Sequence, residues 1–132
     1  MTNMNENKKR ILLVEDEEEM IKAIKLRLEA NDFEVLVASD GVSAVNLVHK
    51  ERPDLVILDI MLPKMDGFTV ARILKFDSLY ENIPIIILSA RMQKSDFAKG
   101  EEVKADAYIT KPFKSEELLA KINQLLADRA ND

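Results

Sequence analysis

The sequence predicts an α/β domain built on a parallel sheet. Short apolar runs alternate with amphipathic segments five times along the 132 residues. The runs at Arg10–Val14, Asp54–Leu58 and Ile83–Leu88 are almost continuously apolar, the pattern of strands covered on both faces. No internal repeat, low-complexity stretch or linker interrupts the strand–helix order. Successive βα units of this kind require right-handed crossovers and a doubly wound sheet in one domain.

The elements follow in order. Residues 1–8 read as a polar tail, 9–128 as the folded domain, and 129–132 as a C-terminal tail or linker stub. MTNMNENKKR has no apolar region, so it is not a signal peptide. Strand one is Arg10–Val14. The first helix places Ile21, Ile24 and Leu28 on one face and Lys22, Lys25 and Glu29 on the other. Asp16 is either its N-cap, with Glu19 as capping-box partner, or a residue facing a site. Strand two, Glu34–Ala38, is more polar at its start and suits a sheet edge. Asp40 then caps a second helix opened by Gly41, with Val42, Val45 and Val48 as its apolar stripe.

Strand three, Asp54–Leu58, leads to a helix capped by Asp66 and carrying Val70, Ile73 and Leu74. Strand four, Ile83–Leu88, precedes a weak polar helix at Gln93–Gly100. Strand five is Ala107–Thr110. The last helix has Ser115 as N-cap, Glu116 and Glu117 in its first turn, and Leu118, Ile122, Leu125 and Leu126 inward.

Composition narrows the function. The formal charge of −5 argues against direct binding of nucleic acid, which needs a basic surface. The absence of cysteine removes disulfides, thiolate metal sites and cysteine nucleophiles, and fits a reducing cytoplasm. No apolar run approaches the ~20 residues of a membrane helix. His49 has no histidine or cysteine partner and reads as a surface residue. The six methionines form no stripe at helical spacing.

In a parallel sheet every strand's carboxyl end lies on one edge, and ligands bind there. After strand one stand Glu15 and Asp16. Asp59 follows strand three in LVILDIMLPKMDG, Ser89 follows strand four in IIILSA, and Lys111 follows strand five in YITKPF. Neighbouring strands are ~5 Å apart, so these side chains can meet. Three carboxylates that close need compensating positive charge. Lys111 supplies one charge, and a hard divalent cation such as Mg2+ supplies the rest. The set reads as a site for Mg2+ and a phosphoryl group, with Asp59 as the nucleophile, because carboxylates form acyl phosphates.

These residues resemble the receiver domain of two-component response regulators. The resemblance runs from about Lys9 to Ala127 and rests on VED, LDIMLPKMDG, ILSA, YITKPF and the DG that opens the second helix. It implies a flavodoxin-like (βα)5 fold with strand order 2-1-3-4-5, an order inherited with the family. It implies that Asp59 is the phosphoacceptor. Glu15, Asp16, Asp59 and the Met61 backbone carbonyl hold Mg2+, Ser89 bonds a phosphoryl oxygen, and Lys111 pairs with the phosphate through a peptide to Pro112 that is usually cis. Ser89 and Tyr108 are the switch pair, read out on the surface of the fourth helix, fifth strand and fifth helix.

The implied partners are a histidine kinase or phosphotransfer protein and a downstream effector, with no membrane. The implied state is a monomer or a phosphorylation-dependent homodimer, in the cytoplasm. Such a domain catalyses only its own phosphorylation and dephosphorylation. MLP and SAR also resemble receivers joined to winged-helix DNA-binding domains, although Ala107 replaces an acid common in that group. Lys104 stands where many relatives have glycine, so the turn before strand five is expected to be either strained or differently shaped. Met61 and Arg91 flank the site and are expected to lengthen the phosphoryl lifetime. An aspartate-nucleophile phosphatase is the competing enzyme reading. Those enzymes carry a second Asp two residues after the nucleophile, where this chain has Met61. A constitutive docking receiver usually lacks one of the site residues, and this chain keeps them all.

Overall fold

A computed structural model describes residues 8–90 and 102–130. Within them the strands are β1 Arg10–Val14, β2 Glu34–Ala38, β3 Leu55–Asp59, β4 Ile85–Ser89 and β5 Ala107–Thr110. The helices are α1 Glu18–Ala30, α2 Gly41–Glu51, α3 Gly67–Lys75 and a C-terminal helix, Ser115–Ala130. The predicted helix at Gln93–Gly100, and Arg91, lie outside the described residues. All four strand pairings are parallel, in the order β2-β1-β3-β4-β5. Order and direction both agree with the expectation.

Alternate strand residues point to opposite faces, and here both faces are covered. Leu12, Val14, Val56, Leu58, Ile85 and Ile87 pack with Ala44 and Val48 of α2 and Val70 and Leu74 of α3. Ile11, Leu13, Leu55, Ile57, Ile86 and Leu88 pack with Ile24 and Leu28 of α1 and Leu118 and Ile122 of the C-terminal helix. This two-sided burial is why the runs carry no polar alternation. Each fully buried Leu or Ile contributes roughly 1.5–3 kcal/mol.

The local differences from the sequence reading have identifiable causes. β3 and β4 sit one to two residues later than predicted, so Asp59 and Ser89 are the last residues of their strands. Pro84 has no N–H for the ladder, and β4 begins after it. In α2 the buried face is Gly41, Ala44 and Val48, while Val42 is 43% exposed. The helix starts at Gly41, and its turn carries the next residue outward. Ile73 in α3 is likewise partly exposed, beside buried Val70 and Leu74.

The capping expectations divide in the same way. Asp40 accepts the Ser43 N–H at 2.8 Å, and Asp66 accepts the Thr69 N–H at 2.9 Å, so both cap as predicted. Asp16 does not: the cap position of α1 is Glu17, and no side chain bonds there. The C-terminal helix begins at Ser115, with the Lys114 carbonyl accepting from Glu117 N and Leu118 N. Lys114 therefore occupies the position expected of Ser115. Lys104, in the turn before β5, has φ 62, in the left-handed region where glycine is at ease.

Candidate functional site

Strand register builds the site. Val14 pairs with Leu58, Asp59 with Leu88, and Ser89 with Thr110. The residues at or just past these positions, Glu15, Asp59, Ser89 and Lys111, therefore line one edge of the sheet. The chain leaves β1 with Glu15 buried at 1% exposure and Asp16 exposed. One carboxylate oxygen each from Glu15, Asp16 and Asp59 lies within 4.8 Å of the others. Lys111 Nζ donates to Glu15 Oε1 at 2.8 Å and to Asp59 Oδ2 at 3.1 Å.

The backbone orients both buried acids. Glu15 Oε2 accepts the N–H groups of Asp16 and Glu17 at 3.1 and 3.2 Å. Asp59 Oδ1 accepts the Met61 N–H at 3.1 Å, while the Met61 side chain is exposed. Lys111 N donates to the Ser89 carbonyl at 2.8 Å, which ties the end of β5 to the end of β4. The Ser89 side chain is buried beside Asp59's strand, and Tyr108 lies half-buried on β5 opposite Ile87. The Lys111–Pro112 peptide is cis, as the resemblance implies.

The electrostatics follow from burial and charge. Burial raises the Glu15 carboxyl above its ordinary value; the bond from Lys111 offsets part of that, and the Asp59 charge adds to it. Burial works against the Lys111 ammonium, but its bonds to Glu15 and Asp59 outweigh burial and hold it above its ordinary value. Three carboxylates against one ammonium leave an excess of two negative charges in a small crevice. That excess equals the charge of one divalent cation, and every donor is a hard oxygen, so the residues fit Mg2+.

The sequence reading thus brings Glu15, Asp16, Asp59, Ser89 and Lys111 to one edge. It missed the direct Glu15–Lys111 bond, because the two residues meet only through the fold. It also missed Gly67. A Cβ there would collide with the Asp59 carbonyl oxygen and stand 2.8 Å from Ile60 Cα. Gly67 N instead donates to the Ile60 carbonyl at 2.8 Å, folding the chain back beneath the acid. The glycine of MDG was the available signal.

Fold and edge together define a class: a flavodoxin-like α/β domain with acids and a lysine at the carboxyl ends of its strands. The chain belongs to the response regulator receiver domain family, whose profile matches residues 11–123. It is 44% identical over 121 residues to the probable transcriptional regulator ycf27 of Guillardia theta, covering 92% of this chain and 46% of that protein. It is 40% identical over 129 residues to the DNA-binding response regulator MtrA of Mycobacterium tuberculosis, covering 98% of this chain and 54% of that protein. The chain thus spans about half the length of these relatives.

Among solved structures, the CheY-like receiver domain of Methanospirillum hungatei superposes with a TM-score of 0.90 at 27% identity, covering 95% of this chain and 98% of that one. The receiver domain of a sensor histidine kinase from Pseudomonas aeruginosa gives 0.84 at 28% identity, covering 91% and 98%. That crystal structure has a magnesium ion coordinated in the active-site cleft.

Proposed function

We propose that Asp59 accepts a phosphoryl group from a histidine kinase or phosphotransfer protein, with Mg2+ held by Glu15, Asp16, Asp59 and the Met61 backbone carbonyl. The observation that carries this reading is the position of the Asp59 carboxylate. It is nearly buried, one oxygen bonded to Lys111 and the other to a backbone N–H, with Glu15 and Asp16 oxygens within 4.8 Å. Such a carboxylate is held for in-line attack, and phosphoryl transfer needs mainly positioning and charge neutralisation. An Asp59 oxygen forms the bond to phosphorus as the bond from phosphorus to the donor's imidazole nitrogen breaks.

When bound, Mg2+ supplies charge neutralisation for the acids and the phosphoryl oxygens. Lys111 is bonded to both buried acids, Glu15 and Asp59, and it turns toward a phosphoryl oxygen once the group is on Asp59. The Ser89 hydroxyl donates to another phosphoryl oxygen, and Tyr108 follows inward as the second half of the switch. The readout is the surface of β5 and the C-terminal helix, together with the fourth helix that the family resemblance implies. The domain catalyses only its own phosphorylation and dephosphorylation. Its partner downstream is a DNA-binding effector, a reading supported by relatives named as transcriptional and DNA-binding regulators of about twice this length.

Mass spectrometry after incubation with Mg2+ and acetyl phosphate tests the acceptor. The parent gains one phosphoryl group and Asp59→Asn gains none; equal labelling of both removes the assignment. Asp16→Ala weakens Mg2+ binding and slows labelling, whereas Glu18→Ala, in the first turn of α1, changes neither. Identical behaviour of these two variants removes Asp16 from the ligand set.

A further inference from the structure

Gly41 opens α2 directly beneath the loop that joins β3 to α3, residues 60–66. No glycine among the described residues has a positive φ, so glycine is not required at 41 by a left-handed backbone. The requirement is space. A Cβ at 41 would collide with the Met65 carbonyl oxygen, lie 2.6 Å from Met65 Cβ, and touch Val70 Cγ2 at 3.0 Å. The nearest obstacle is backbone, which cannot swing aside as the end of a flexible side chain can. The neighbouring residue holds the same loop, since Asp40 Oδ2 faces Lys64 Nζ at 3.7 Å.

Inside the loop, Leu62 N bonds to the Ile60 carbonyl at 3.2 Å and Met65 N to the Pro63 carbonyl at 2.7 Å. The loop therefore runs as two consecutive tight turns, 60–62 and 63–65, and the second is the one that meets α2 at Met65. It also carries Met61, whose N–H fixes Asp59 Oδ1.

We propose that Gly41 is a positioning residue for the β3–α3 loop: its missing side chain lets α2 seat against Met65, which holds the loop where the Met61 carbonyl serves the metal. The inference rests on the Mg2+ reading above. A local view of helix propensity gives the opposite expectation, because alanine forms helix better than glycine. The two views therefore differ in sign.

The test is calorimetric titration with Mg2+ alone, together with labelling rates from acetyl phosphate across a Mg2+ series, on the parent, Gly41→Ala and Met65→Gly. Gly41→Ala is expected to raise the Mg2+ dissociation constant roughly tenfold, the scale seen when groups supporting metal ligands are lost. Its maximal labelling rate at saturating Mg2+ stays near the parent's, a split that general loss of structure does not produce. A folded Gly41→Ala with the parent's Mg2+ affinity overturns the inference. Should Gly41→Ala fail to fold, Met65→Gly decides. It removes the Met65 Cβ, one of the two Met65 atoms that meet α2, and is expected to weaken Mg2+ in the same direction; unchanged affinity overturns the inference there too. A parent that binds no Mg2+ overturns the metal reading itself, a result distinct from any change confined to the variants.

Discussion

Asp40 uses one carboxylate for three contacts. Oδ1 accepts the Ser43 N–H, while Oδ2 accepts the Ser43 hydroxyl at 3.1 Å and faces Lys64. The Ser43 backbone bond holds its carboxyl below the ordinary aspartate value. A folded-state value below the unfolded one means stability that is present above the unfolded pKa of ~3.9 and lost as pH falls through the folded value. Urea denaturation between about pH 5 and 3 should therefore show a steeper loss for the parent than for Asp40→Asn, which keeps a capping oxygen but does not titrate. Equal slopes would exclude a contribution from Asp40. Lys104 shows a different residue-scale balance. Its left-handed backbone costs about 1–2 kcal/mol, and its ammonium, 5.2 Å from the Phe76 ring centre, offsets about 0.5–1 kcal/mol of that.

Elements are held together at the opposite edge of the sheet from the acids, and Lys75 is the centre of that joint. Its Nζ, at the end of α3, donates to the carbonyls of Glu81 and Ile83 at 3.1 and 2.8 Å and pairs with Asp106 Oδ2 at 2.7 Å. The same Asp106 oxygen accepts Ile85 N at 2.8 Å, so α3, the turn into β4 and the entry to β5 share one ammonium. Lys75→Met fills much of the volume but leaves a carboxylate and two carbonyls short of a donor. It should cost roughly 1–3 kcal/mol in urea denaturation, the cost of leaving buried carbonyls without a donor, because the Asp106 carboxylate is partly exposed; a loss below about 0.5 kcal/mol would make the joint incidental. Lys75 was not legible in the sequence, where it looks like any helix-end lysine. The strands were legible because two-sided burial writes itself as unbroken apolar runs. Of the predicted α2 stripe, Val48 is buried and Val45 packs against the core, and only Val42 turns outward; Gly41 and Ala44 complete the buried face but, as small residues, give little hydrophobic signal. Asp16 as a cap failed for a related reason. Cap preferences rank residue types, whereas the entry point of α1 is set by how the chain leaves β1, with Glu15 held by two backbone N–H groups.

At the scale of the molecule, a stable sheet delivers an unstable edge. The same parallel register that buries both faces sets Glu15, Asp16 and Asp59 together, with Lys111 as the ammonium bonded between the buried acids. The convergence of these residues was therefore legible as soon as the strands were, since only a parallel sheet brings all these ends to one side. The bonds within it were not, because no local spacing encodes a contact between Glu15 and Lys111. Carboxylates this close repel one another, and an ion that binds only the folded crevice relieves that repulsion. Mass action then sets the size of the effect: Mg2+ at ten times its dissociation constant stabilises the fold by about 1.4 kcal/mol. For a domain of this size that is a rise in melting temperature of roughly 3–8 °C. Thermal unfolding should show this rise in MgCl2 and a smaller one in NaCl of equal ionic strength, since screening alone acts weakly on buried charge. Asp16→Ala should lose most of the Mg2+-specific part, because it removes one of the three converging carboxylates from a position where it makes no cap. Equal rises in the two salts, or an undiminished Mg2+ response in Asp16→Ala, would show that the folded state gains nothing from an ion at this edge.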